Sequence, residues 1–164
     1  MKITLLELIL KGIPEAAIFT LGLYAFSKNK MQTKQYWAVV IMTFVSVFLL
    51  RMLPINHSVN IMINYIFITV LAFAVMKMTL LKSIISCLLT IGAVLVGEAA
   101  NFFLLQSTIG SQKILEIMGG DPITKVIYTI PSTVVFGAII FTAYYFNVLK
   151  IPKKKELLNF EKER

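Results

Sequence analysis

Five apolar runs, each long enough to cross a lipid bilayer as a helix, decide what this chain can become. A hydrocarbon core of about 30 Å requires roughly 20 apolar residues at 1.5 Å of rise each. The runs cover residues 3–26, 35–52, 59–76, 81–105 and 122–149, with short polar breaks between them. Backbone N–H and C=O groups in lipid must pair internally, so only helices or a closed barrel are admissible. No period-two alternation runs through these segments, and helices are expected. The expected fold is an all-α integral membrane protein. Residues 1–149 form a bundle of five transmembrane helices, and residues 150–164 form a basic tail.

Composition agrees. Of 164 residues 58% are apolar and 15% charged, and the mean hydropathy is +0.83. Soluble domains carry about a quarter charged residues. A water-soluble enzyme, a disordered tail and a nucleic-acid module are excluded. The net charge of +8 comes from lysines between apolar runs and in the tail, and such charges orient membrane proteins. The single cysteine, Cys87, excludes an internal disulfide, and one His with one Cys offers no metal site. No cofactor is expected.

The loops are short enough for the positive-inside rule. Lys2, Arg51, Lys113 and Lys125 share one side; Lys28, Lys30, Lys34, Lys77, Lys82, Lys150, Lys153, Lys154, Lys155, Lys162 and Arg164 share the other. Four against eleven places the N-terminus outside and the C-terminus in the cytoplasm of a multi-pass plasma-membrane protein. Tyr24, Tyr36, Trp37, Tyr144 and Tyr145 fall near the inner ends, where an interfacial aromatic belt belongs. Glu7, Lys11 and Glu15 interrupt the first run and argue against a cleaved signal peptide.

Local residues shape the bundle. Asp121-Pro122 suits a helix start, and residues 111–120 read as either a short amphipathic surface helix or a loop. Pro14 and Pro131 are expected to kink spans one and five. Gly92 and Gly97 permit close approach of span four to a neighbour. Ser83, Ser86 and Thr90 are expected to bond back to their own helix, and Cys87 to pack as a small apolar group.

Ionisable groups at membrane depth cost several kcal/mol unless they face the bundle and find partners. Glu7, Lys11 and Glu15 lie four residues apart on one helix face. Glu98 and Asn101 lie one turn apart in span four, and Asn60 and Asn64 one turn apart in span three. Arg51 and His57 stand at the outer mouth between spans two and three. Lys11 and Glu98 are each about 12 Å below the outer surface by helix rise, so Lys11 is expected to pair with Glu98, with Glu15 and Glu7 as competitors. These polar residues concentrate in the outer half. That distribution suggests a polar cavity open to the outside, closed below by packed Leu, Ile, Val, Phe and Met. Two readings remain open for it, a ligand site and a set of contacts that fixes which helices pair. His57 and Cys87 stand about 20 Å or more apart by helix rise, so no Cys/His dyad is expected.

After the last span, Lys150, Lys153, Lys154 and Lys155 lie within six residues and suit anionic inner-leaflet lipid, at about 1 kcal/mol each. Together with five spans, an external N-terminus and this basic exit, three segments carry a family likeness: KGIPEA (11–16), RMLPINHSVN (51–60) and DPITKVIYTIPS (121–132). The chain resembles the membrane module of clostridial sensor histidine kinases and related ATP-binding membrane proteins, of the accessory-gene-regulator receptor type. The resemblance implies detection of an external peptide or small molecule, or of membrane state. It departs from the family in lacking the cytoplasmic phospho-acceptor histidine and ATP-binding domain, so the stretch is not expected to be an enzyme by itself. A sensor module, a stand-alone relative or a piece of a longer kinase would each fit.

The expected function is therefore a non-catalytic membrane sensor. The alternatives are a small transport component, such as a substrate-binding membrane subunit, and a structural assembly subunit. Expected partners are the bilayer, a cytoplasmic signalling protein at residues 150–164, an external peptide or small molecule, and a second copy of the chain; nucleic acid is not among them.

Overall fold

The computed structural model describes residues 8–52, 56–110, 113, 114, 117, 120 and 122–150. Every regular element among them is helical. A π-helical turn, Leu8–Gly12, leads into α1 (Ile13–Ser27). Then follow α2 (Thr33–Met52), α3 (His57–Ala74), α4 (Leu80–Ile109) and α5 (Pro122–Tyr144), which ends in a second π-helical turn, Tyr145–Lys150. Helices thus occupy all five apolar runs. Three segments, Thr33–Leu50, Leu80–Ile109 and Val126–Lys150, are long and apolar enough to cross a membrane, and Val59–Ala74 is a shorter apolar helix. At 30 residues α4 is about 45 Å long.

Pro14 sits in the first turn of α1, where its missing N–H leaves no bond unmade, and the irregular backbone is the π-helical turn before it. Pro131 lies inside α5, which continues through it. Two turns reverse the chain on left-handed lysines: Lys28, the C-cap of α1, has φ 58°, and Lys77, between α3 and α4, has φ 52°. Met76 and Met78 flank Lys77 and are buried in the core, which anchors the turn.

Short links between packed neighbours make consecutive helices antiparallel. The end at which α1, α3 and α5 begin is called the upper end. Helices α1, α4 and α5 form the most extensively packed trio, and the α2–α3 hairpin closes the other side against α1 and α4. Glycine makes the trio close. A methyl group on Gly22 of α1 would lie 2.7 Å from Thr90 Cγ2, and one on Gly97 of α4 would lie 2.9 Å from the Ser132 carbonyl oxygen. Gly92, expected at a helix contact, has open space around it because it faces outward.

The core fills the lower half: Leu23, Tyr24, Val39, Ile68, Ala72, Met76, Cys87 and Ile140 are buried. Outside it, Leu, Ile, Val and Phe face outward on every long helix, including Leu88, Phe103, Val134 and Phe141. A water-soluble bundle shows apolar stripes turned inward. Here the outer surface is apolar too, as contact with a lipid bilayer requires.

Aromatic side chains depart in part from an interfacial belt. Tyr24 is buried in the core, and the Tyr36 hydroxyl donates to the Ala17 carbonyl of α1 at 3.1 Å. Trp37, edge-on to Tyr36, and Tyr145 do point outward. The height of these rings suits a belt, but two of them are drawn inward to join helices.

Candidate functional site

The upper half of the bundle holds a cavity of about 290 Å³. All five helices contribute. Gly12, Glu15, Ala16 and Phe19 come from the first; Thr43 and Val47 from α2; and Asn60, Ile61, Asn64, Tyr65 and Ile68 from α3. Val94 and Glu98 come from α4, and Ser132, Thr133 and Phe136 from α5. Most lining residues lie in the upper part of their helices, and Ile68 and Phe136, just past the middle of theirs, join the cavity to the core below. Phe19 and Tyr65, stacked at 6.2 Å between centroids, cross the cavity's lower wall.

Of the residues expected to form a polar cluster, Glu15, Asn60, Asn64 and Glu98 converge on this cavity. Lys11 lies one turn above Glu15 and pairs with it: Nζ is 3.5 Å from Oε1. The expected pair with Glu98 is not formed. Lys11 is one helical turn from Glu15 on the same face, and the shorter reach wins. Thr133 of α5 donates to the same Glu15 oxygen at 3.3 Å. Glu98 makes no ion pair or hydrogen bond among the described residues, and it is exposed through the cavity opening.

The asparagines tie helices together. Asn60 Nδ2 donates to the Leu50 carbonyl at 2.8 Å, satisfying one of the orphan acceptors in the last turn of α2. Asn64 Oδ1 accepts from Ser46 Oγ of α2 at 3.1 Å. Asn101 lies away from the cavity lining, buried between α4 and α5, where Nδ2 donates to the Tyr128 carbonyl at 3.0 Å. Glu7 and Lys153, Lys154 and Lys155 lie outside the described residues, as does the side chain of Arg51, whose backbone closes α2. Lys150 sits with Nζ 5.2 Å from the centre of the Phe146 ring.

Several residues in the cavity wall, and Ser46 beside it on Asn64, carried no signal in the sequence. Thr43, Ser46, Ser132 and Thr133 are hydroxyls in apolar helices, where bonding back to the helix's own carbonyls is the ordinary fate. Ser132 and Ser46 do so, at 2.7 Å to Thr129 and 2.8 Å to Thr43. Thr43 does not: its Oγ1 is buried without a hydrogen-bond partner. In the lower half Ser83 and Thr90 bond back to Thr79 and Ser86 as expected, but Ser86 Oγ is left unpartnered. Cys87 packs in the core, with Sγ 3.9 Å from the Tyr65 carbonyl. Asn147, below the core, donates to the Ala25 carbonyl at 3.2 Å and fastens the end of α5 to α1.

Chemically, the cavity offers carboxylates, amides, hydroxyls and aromatic faces. Among the described residues no group of three or more His, Cys, Asp or Glu is placed to hold a metal ion. Comparison of the chain with protein-family models, with curated proteins and with solved structures finds no match.

Proposed function

We propose that this chain is a sensor-type membrane module whose upper cavity receives an external small ligand. In this reading five helices cross the plasma membrane, the N-terminus is outside, and the basic tail from Lys150 meets anionic lipid and a cytoplasmic partner. The role is binding and signalling rather than catalysis. The observation that carries the reading is the cavity itself: all five helices line it, at one end of the bundle, with Glu15 and Glu98 in its wall. The four-to-eleven lysine and arginine asymmetry supports the orientation, which turns that end outward. The likeness of residues 11–16, 51–60 and 121–132 to kinase sensor modules supports the signalling role.

Thiol accessibility tests it. In a Cys87→Ala background, Thr133→Cys places a thiol in the cavity wall. A membrane-impermeant, positively charged methanethiosulfonate added to sealed right-side-out vesicles should label it. Labelling confined to inside-out vesicles overturns the reading.

A cavity that touches every helix also suits the substrate-binding subunit of a transporter, since any rearrangement of the helices would alter it. Purified protein in proteoliposomes should show no ligand uptake if it is a sensor, and uptake abolished by Glu98→Gln if it transports.

A further inference from the structure

We propose that the upper cavity takes a small organic ammonium ion, its charge facing Glu98 and a hydrogen-bonding group facing Thr43. This deepens the reading of the cavity as an external ligand site and rests on it.

Charge comes first. Glu15 is balanced by Lys11 at 3.5 Å and held by Thr133. Glu98 lines the same space with no such balance among the described residues. Glu15, Tyr65 and Glu98 line one cavity, so the two acids address one volume. An anionic ligand would meet Glu98 as a like charge, and a neutral one would leave it without a counter-charge at membrane depth. A cation supplies what is missing.

A second, independent feature is Thr43. It is 3% exposed, it lines the cavity, and its Oγ1 has no partner in the protein. A buried hydroxyl without a partner is costly, and a ligand acceptor or donor would satisfy it. Shape adds a third. Phe19, Tyr65 and Phe136 stand in the wall, and aromatic faces attract organic cations. At about 290 Å³ the space is near the small end of ligand pockets, which start at roughly 300 Å³. It fits an amine of modest size, and a folded or cyclic peptide does not enter whole.

The test is isothermal titration calorimetry of the full chain in lipid nanodiscs. The probes are phenethylamine and isobutylamine, each against its neutral alcohol isostere, with 3-phenylpropionate as the anion. At least one amine should bind about tenfold or more tighter than its alcohol, as expected when a charge-assisted contact replaces a neutral one. The carboxylate should bind least. Glu98→Gln should abolish the preference for the amine, Glu98→Asp should keep it, and Thr43→Val should weaken binding several-fold while the preference survives. Thermal melting of each variant checks the fold. An alcohol or the carboxylate binding as tightly as its amine, or a preference that survives Glu98→Gln, overturns the proposal. So does binding by none of the amines, and outer labelling of Thr133→Cys would then still uphold the receptor reading without this ligand class.

Discussion

Lys11 and Glu15 pair one helical turn apart at 3.5 Å, and Thr133 of α5 donates to the same carboxylate oxygen. The ion pair therefore joins the π-helical turn Leu8–Gly12 to the start of α1 and is stitched across to α5. Exposed pairs at this spacing contribute about 0.3–0.5 kcal/mol, and partial burial raises that modestly. A double-mutant cycle of Lys11→Met with Glu15→Gln, read by denaturation in detergent, should give a coupling of about 0.5–1 kcal/mol. The cycle of Lys11→Met with Glu98→Gln should be additive within about 0.5 kcal/mol. The reverse ranking would place Lys11 on Glu98.

Asn60 and Asn101 look alike in the sequence but not in the bundle. Asn60 satisfies the Leu50 carbonyl at a helix end, and its loss strands that acceptor. Asn101 bonds the Tyr128 carbonyl while its own Oδ1 stays buried and unpartnered, so replacing it removes one penalty along with one bond. Asn60→Leu should cost about 1–2 kcal/mol, and Asn101→Leu less than about 1 kcal/mol. Equal losses in equilibrium unfolding would contradict this.

Three glycines rank the same way by geometry. Gly92→Ala meets nothing within 4 Å and should be neutral or slightly stabilising. Gly22→Ala drives its methyl into Thr90 and should cost about 1–3 kcal/mol, partly restored by Thr90→Ala. Gly97→Ala meets the Ser132 backbone, which cannot rotate away, and should cost at least as much with no simple rescue. Melting temperatures of the four variants decide it.

Helix positions were readable because bilayer thickness fixes the length of an apolar run: α2–α5 lie within about five residues of their runs, while α1 begins only at Ile13, after the π-helical turn Leu8–Gly12. Height along the bundle was readable in part, since rise per residue is constant: Glu15, Asn60, Asn64 and Glu98, expected in one half, line one cavity. What the residues do not encode locally is rotation. Helix rise alone puts Lys11 and Glu98 at one depth, yet Lys11 reaches its own neighbour Glu15. Tyr24 and Tyr36 were expected at a lipid interface, yet both face neighbouring helices. Gly22 and Gly97 matter only against Thr90 and Ser132, which sit far away in the sequence. The polar cluster was visible as ionisable groups and amides out of place in apolar runs. Its hydroxyl members, Thr43 and Thr133, were hidden among many threonines that bond their own helix.

Val134 separates lipid from water as the solvent of this surface. It is 64% exposed near the middle of the Val126–Lys150 segment, so in a water-soluble bundle Val134→Lys would be nearly silent. Facing hydrocarbon, the ammonium group costs about 2.5–3.5 kcal/mol near the centre of a span. Serine at the same place, small and uncharged, should be far milder. Val134→Lys should therefore sharply reduce the fraction of chain recovered in membranes, and Val134→Ser should leave most of it there. Moving the lysine to Tyr145, near the end of the segment, should restore recovery, because a long side chain there can snorkel to the interface. Equal recovery of all three variants would mean that Val134 does not face lipid.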